Sequence, residues 1–330
     1  MKKVACSLLI AAGLATSSAM AADMAVKAPP APPAPPPSPW DVAITAALMN
    51  DYNFRGVSQS NHRASTQAGF ELRYNWTKDL QGYAGISGES IDFPNRAAAE
   101  VDFYGGIRPT FDKLAFDFGV WYYYYPDGQC FNTISFCNGS GGGPSVAVTL
   151  PNGNVVKQDL SFYEFYAKAT YTVNDNLALG IQEWYSPSVL NSGADGWYTV
   201  GNLTLTAPTT WFTGPVGGLG AYVSGDLGYW DLGTSDAFYG VAAFPNGVPY
   251  KSYWNWDAGI GFTYKAFTLD LRYYDTNLSK ADCNVFDSDH TAAFSPASVS
   301  PTNPGGLASN WCSAAFIAKL SFATNLSSIK

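Results

Sequence analysis

Beyond its leader, this 330-residue chain has no run of about 18 to 20 apolar residues. That absence excludes a transmembrane helix in the mature part. Charge is scarce too, at 13% of residues, and histidine is limited to His62 and His290. Neither histidine lies in a nucleophile motif, because the sequence contains no G-x-S-x-G and no H-E-x-x-H. A catalytic histidine needs a second group within hydrogen-bond reach. Both histidines are therefore read as solvated loop residues, and no catalytic set is expected. The run Gly139 to Gly143, GSGGG, lacks a strand-to-helix context and a lysine. It reads as a flexible loop tip, not a phosphate cradle. The formal net charge of −8 argues against nucleic acid, whose phosphates need the opposite sign. No cofactor and no metal is expected.

What is present points elsewhere. Residues 1–21 carry a basic start (Lys2, Lys3), an apolar core, and small residues at Ala19 and Ala21. That is the pattern of a cleaved signal peptide. Residues 22–39 form a proline-rich segment with the run APPAPPAPPPSP. It favours polyproline II and cannot join a sheet ladder, so it reads as a stiff periplasmic spacer. Residues 40–330 are the expected folded domain. Aromatics reach 15% and glycine numbers 32. An exported, aromatic, glycine-rich and charge-poor chain suits a β-protein that touches lipid.

From Trp40 onward the dominant period is two. In STQAGFELRYNW, Ala68, Phe70, Leu72, Tyr74 and Trp76 share one face, opposite Gln67, Gly69, Glu71, Arg73 and Asn75. Twelve strands are predicted, over about 40–51, 65–76, 80–92, 99–111, 115–125, 159–171, 177–186, 196–205, 218–230, 252–264, 267–275 and 313–322. Connections after even-numbered strands are mostly short, and several after odd-numbered strands are long. That asymmetry is the signature of an outer-membrane barrel with short periplasmic turns. The fold class is thus all-β, a transmembrane up-and-down antiparallel barrel. Trp76, Tyr171 and Tyr264 would mark the periplasmic girdle. Tyr122 to Tyr125, Trp184, Tyr185, Tyr229, Trp230, Trp254 and Tyr274 would mark the outer one. Outer-membrane lipid is the first expected partner.

Charge on the lipid face is costly, so the charged phase must point inward. It contains Glu71, Arg73, Glu100, Asp102, Arg108, Asp117, Glu164, Lys168, Asp226, Asp257, Asp270 and Arg272. These are the pore-lining candidates. Their acidic excess would favour cations if the lumen is wet; salt-bridged filling is the alternative. Inward Gly69, Gly85, Gly106 and Gly119 leave room, while Trp121 and Tyr123 take it back. The expectation is a narrow pore for ions or small hydrophilic solutes, or else a structural or adhesive barrel with a closed lumen working through its loops, with an outer-membrane hydrolase as the last alternative.

Four cysteines remain after processing and allow three pairings. Pairing Cys130 with Cys137 and Cys283 with Cys312 closes the two shortest loops. Export favours disulfides, and Cys130-x6-Cys137 is a poor zinc spacing.

The stretch NDYNFRGVSQSNHRAS (50–65) follows the first strand. It reads as outer rim, with Tyr52 and Phe54 in the aromatic girdle and Gly56 allowing a turn. Asp51 and Arg55 are the pore-mouth candidates. Arg55 either reaches over the mouth or pairs with a rim carboxylate such as Asp51, the pairing role being favoured. NDYNFRGVSQS resembles the SDYxFRGxSQ opening of the TorF-type putative porin family of proteobacteria. STQAGFELRYN, LQGYAGISGESIDF, AEVDFYGGIRPTF and FDFGVWYYYYP resemble its later segments. The resemblance covers most of 40–275. It implies an outer-membrane barrel with a porin role and no catalytic set. The alternation Phe316, Ala318, Leu320, Phe322 resembles the insertion signal read by the barrel assembly machinery, a second expected partner. Eight residues (ATNLSSIK) follow Phe322 and depart from that pattern.

Overall fold

The computed structural model describes residues 38–139, 149–212 and 218–326. The leader, nearly all of the spacer and most of the GSGGG run lie outside these residues. Twelve strands close into one antiparallel barrel. They are β1 (Trp40–Met49), β2 (Ser65–Thr77), β3 (Leu80–Glu89), β4 (Glu100–Phe111), β5 (Leu114–Tyr124) and β6 (Phe162–Asn174). There follow β7 (Leu177–Ser186), β8 (Gly196–Thr206), β9 (Leu219–Leu232), β10 (Tyr253–Tyr264), β11 (Phe267–Thr276) and β12 (Ala315–Asn325). Each strand pairs with its sequence neighbours, and β1 closes on β12 with Ala43 opposite Asn325 and Met49 opposite Lys319.

The two-residue period becomes two surfaces. In β2, Phe70 and Leu72 are 46% and 38% exposed, whereas Glu71 between them is 7% exposed. Ile86, Phe103, Ile107, Phe165 and Ile181 continue the outer apolar band. A soluble protein does not display a continuous belt of this kind; a bilayer supplies its solvent. The backbone inside such a belt needs every hydrogen bond met internally, which the closed ladder does. No helix among the described residues is long and apolar enough to cross a membrane.

Strand ends differ from expectation by a few residues. β6 starts at Phe162 and runs on to Asn174, and β12 runs on to Asn325, so less chain follows the last strand than the alternation suggested. Turns at one end are as short as Lys78–Asp79 and Lys265–Ala266. At the other end, residues 125–161 and 277–314 are long, and both barrel termini lie at the short-turn end. The long-loop half is packed like a soluble core. Val57, Val189, Tyr198, Trp230, Tyr253 and Trp311 belong to one buried cluster. Phe93, Tyr123, Tyr125, Phe131 and Phe162 belong to a second. Phe54 and Leu190 pack against both.

Candidate functional site: an occluded lumen

The chain leaving β1 turns into the barrel. Asn53–Phe54 pairs with Val57–Ser58, joined by a two-residue turn at Arg55 (φ 51°) and Gly56 (φ 84°). Positive φ at both central positions defines the hairpin turn whose twist matches its strands. Asn53 Oδ1 accepts from Gly56 N at 2.9 Å. The turn rests against the wall next to the seam, where a Cβ on Gly56 would lie 2.2 Å from Thr276 Cγ2 of β11, two strands from β1.

Arg55 is the centre of the plug. Its Nη1 and Nη2 donate to Glu164 Oε1 and Oε2 on β6 at 2.8 and 2.7 Å. The two side chains are 5% and 1% exposed. The guanidinium carbon stands 4.2, 4.4 and 4.6 Å from the ring centres of Tyr198, Trp230 and Phe54. Tyr123 OH also donates to Glu164, and Tyr253 OH donates to Arg55 O. A planar fork stacked on rings and paired bidentately suits arginine and not lysine.

This corrects the rim reading of residues 50–65. Asp51 is not the partner of Arg55. Its carboxylate accepts from Ser58 Oγ at 2.6 Å and Ser60 Oγ at 2.9 Å, and faces His62 Nδ1 at 2.8 Å. Those local bonds saturate Asp51 and fold the hairpin base, which leaves Arg55 free to cross the lumen. Tyr52 and Phe54 likewise leave the outer girdle. Tyr52 OH donates to Glu100 Oε1 at 2.6 Å, and Phe54 meets Tyr123 and Trp230 edge to face. Burial, then the Glu100 charge, raises the Tyr52 phenol far above its ordinary pKa, so it stays a donor. Tyr123, Tyr125 and Trp230, also assigned to the outer girdle, are buried inside, while Tyr122, Tyr124 and Trp254 face outward. Successive residues of a strand alternate faces, so a run of four tyrosines cannot all join one girdle.

His62 sits where the hairpin meets the last long loop. Its Nδ1 faces Asp51 and its Nε2 faces Asn310 O at 2.9 Å. Ser58 and Ser60 bond to the aspartate and not to the imidazole, so neither is placed to lose a proton to His62. His290 lies 3.5 Å from Asp92. The hydrogen bond to Asp51 raises the His62 pKa, burial opposes it, and Asn310 O adds to it. A raised folded-state pKa stabilises fully below the unfolded value of about 6.5, and the contribution is lost as pH rises through the raised value. Wild type should therefore exceed His62→Gln in urea resistance most at mildly acidic pH, the gap narrowing above neutrality.

All twelve pore-lining candidates lie in the inward phase, but most are paired. Glu71 accepts from Arg108 at 2.8 Å and from Arg73 Nε, and Arg108 Nε reaches Asp117 at 3.1 Å. Arg272 bridges Asp257 and Asp270, with Tyr222 OH donating to Asp270. Asp226 stands opposite Asp257 in register. The Lys168 ammonium lies over Tyr166 and Trp184, at 4.5 and 4.6 Å. The inward glycines do not open the lumen. A Cβ on Gly85 would meet the Tyr104 ring at 2.3 Å, and one on Gly119 the Tyr166 hydroxyl at 2.5 Å. Gly85 and Gly119 are the seats of tyrosines, whereas Gly69 faces Thr45.

The larger free space lies at one end, although the long loops also enclose about 210 Å³ between Asn154, Tyr239, Asn284 and Asn303. A cavity of about 630 Å³ opens at the short-turn end, lined by Arg73, Arg108, Asp117, Lys168 and Asn325 among others. At the hairpin, a void of about 20 Å³ remains between Phe54, Tyr125, Trp230 and Phe286. That is room for about one water. Both expected disulfides are present, Cys130–Cys137 and Cys283–Cys312. The second anchors the helix Lys280–Asp287, whose Phe286 packs on Trp230 and Tyr250. Sequence reasoning missed Glu89, Lys319 and Tyr253. Glu89 shares its phase with Gly85 and Ser87, opposite the exposed Ile86, which is the signal that could have found it.

No curated protein matches the chain. Among solved structures, it is similar to the NanC porin, with TM-score 0.41 and 9% identity over 86% of this chain and 98% of that one. It is also similar to LpxR from Salmonella typhimurium, at TM-score 0.40, 10% identity, and 85% and 99% coverage. A third is OmpT, an outer membrane protein of Vibrio cholerae, at TM-score 0.34, 10% identity, and 87% and 98% coverage. Over residues 33–152 the chain matches the family Gcw_chp, described as a bacterial protein of unknown function.

Proposed function

We propose that the chain is a bacterial outer-membrane barrel of narrow-porin type whose diffusion path is shut by its own first hairpin. The observation that carries this reading is the Arg55–Glu164 fork, which ties the hairpin tip to the opposite wall inside the barrel. Support for the location comes from the apolar exterior and the division into short turns and long loops. In that orientation the open cavity faces the periplasm and the capped end faces outward. The porin role is also what the resemblance to the TorF-type family implies. Its solutes would be ions or small hydrophilic molecules, and the reading is non-enzymatic. Wall pairing leaves cation preference a weak expectation for the opened channel.

Single-channel recording in a planar bilayer tests this. Wild type should be nearly silent, and a variant with residues 52–59 replaced by a short glycine–serine turn should conduct in discrete steps. Steady wild-type conductance would sink the plugged reading. Silence in both proteins would favour a purely structural barrel. That second reading draws on the two apolar clusters that fill the long-loop half.

A further inference from the structure

Beside the hairpin, three carboxylates converge where β3 ends and β4 begins. Glu89, Glu100 and Asp102 are 3%, 2% and 3% exposed, and each brings an oxygen within 4.8 Å of the others. Glu89 stands opposite Glu100 in register, and Ser87 opposite Asp102. Part of their bonding capacity is met. Glu100 accepts from Tyr52 and Tyr125, at 2.6 and 2.8 Å. Glu89 Oε1 accepts from Gln67 at 2.8 Å, and Asp102 Oδ2 from Ser87 at 3.2 Å. Two oxygens make no bond of good geometry, and the donor beside Asp102 is the Trp121 indole N–H, itself unpaired among the described residues. Glu89 Oε2 and Asp102 Oδ1 are buried and have no hydrogen-bond partner among the described residues.

Three buried carboxylates either take up protons or meet an opposite charge, since an ionised group out of water is tolerated only when paired or bound to a metal. Lys319 acts on Glu89 only across an intervening amide and makes no ion pair with it. Lys319 Nζ donates to Gln67 Oε1, so the amide stands between the ammonium and Glu89. Arg55 is committed to Glu164. We propose that Glu89, Glu100 and Asp102 form a binding site for a hard divalent cation, calcium before magnesium.

The chemistry selects the class. All the donors are oxygens, and anionic oxygen suits calcium, magnesium or manganese, not the softer transition metals. Calcium takes oxygen at about 2.3–2.6 Å in a flexible sphere, whereas magnesium demands near-ideal octahedral geometry and keeps its waters. A fixed trio on two paired strands, crowded by tyrosines, fits the more adaptable ion. The two unpartnered oxygens and a Glu100 oxygen would be its ligands. Through Glu100 the ion would bear on Tyr52 and so on the seating of the hairpin, although the site itself stands whether or not the hairpin shuts a channel.

The test uses full-length protein folded in detergent micelles and freed of metal with EDTA. Trp121 lies beside Asp102 and can sensitise terbium luminescence. Terbium should bind at one site and be displaced by calcium more readily than by magnesium. In Glu89→Gln/Asp102→Asn, calcium affinity by calorimetry should fall by more than about tenfold, the lower end of the loss seen for mere outer-shell changes. Calcium should raise the unfolding midpoint of wild type and not that of the variant. Folded wild type that takes up no calcium at millimolar concentration, or a variant of unchanged affinity, overturns the site. If the double variant does not fold, Glu89→Gln alone carries the same comparison, because Glu89 Oε2 holds no other bond.

Discussion

Glu164→Ala should be among the most damaging single substitutions in the barrel. It strands the Arg55 charge in a site that is 5% exposed. Removing one partner of a buried ion pair costs about 3–5 kcal/mol, because the other charge stays desolvated. Burial alone would lower the Arg55 pKa, and Glu164 outweighs it to leave the guanidinium above its ordinary value. Without Glu164, the rings of Tyr198, Trp230 and Phe54 remain as partners, and cation–π contact offsets only about 0.5–2 kcal/mol. The hairpin therefore has two ways out. It stays and the fold weakens by most of that cost, or it leaves the lumen and the barrel conducts. Urea unfolding of the folded protein reads the first, and bilayer recording reads the second. The double change Arg55→Met/Glu164→Gln removes both charges while keeping an acceptor for Tyr123. Stability should largely return and the conductance should vanish. Unchanged stability together with unchanged silence in Glu164→Ala would mean that the pair does not hold the plug.

A second large effect is expected at Gly56. Any side chain there meets two obstacles. The left-handed φ of 84° costs a residue with a Cβ about 1–2 kcal/mol. The Cβ would also sit 2.2 Å from Thr276 Cγ2 and 3.1 Å from Asn255 Cβ. Thr276 cannot swing away cheaply, because its Oγ1 donates to Cys312 O and accepts from Leu278 N. Gly56→Val should unseat the hairpin tip and give intermittent conductance with loss of stability. Thr276→Ser deletes the methyl and keeps the hydroxyl. Added to Gly56→Val it should recover the steric part of the loss and leave the backbone part. A double-mutant cycle on unfolding midpoints separates the two; strict additivity would show that the tip does not rest against β11.

The twelve strands were legible because alternation is local. Phe70, Leu72 and Glu71 announce opposite faces within three residues, and the lipid boundary allows few exceptions. The same alternation identified the inward charges. Which of them pair was harder. Arg73 and Glu71, two apart on one strand, could be guessed, but Arg108 meets Glu71 and Asp117 only through the registers of separate strands. The hairpin was illegible for a different reason. Asn53–Phe54 and Val57–Ser58 are two-residue strands, too short to display a period. A polar stretch after a strand reads as surface whether it lies on the rim or folds inward. The one clue was compositional: an arginine set directly between Phe54 and Gly56, in a chain whose mid-strand charges point inward. Glu89 lay within the predicted strand 80–92 and in phase with Gly85 and Ser87, so its inward direction was legible although it was not among the candidates.

The seam between β1 and β12 sets an order of events. Asn50 Oδ1 accepts from Ala318 N, a residue 268 positions away, whereas other neighbouring strands are joined by connections as short as two residues. The entropy of closing so long a loop is met only after nearly every other ladder exists. The hairpin is the direct continuation of β1 and so lies beside that late-forming seam. Until the seam closes, the barrel is an open curved sheet, and Arg55 can approach Glu164 sideways through the gap. Once it closes, the same side chains are walled in by β12, and leaving requires passage through the loops. Assembly thus turns a contact that is easily reached into one that is slowly lost.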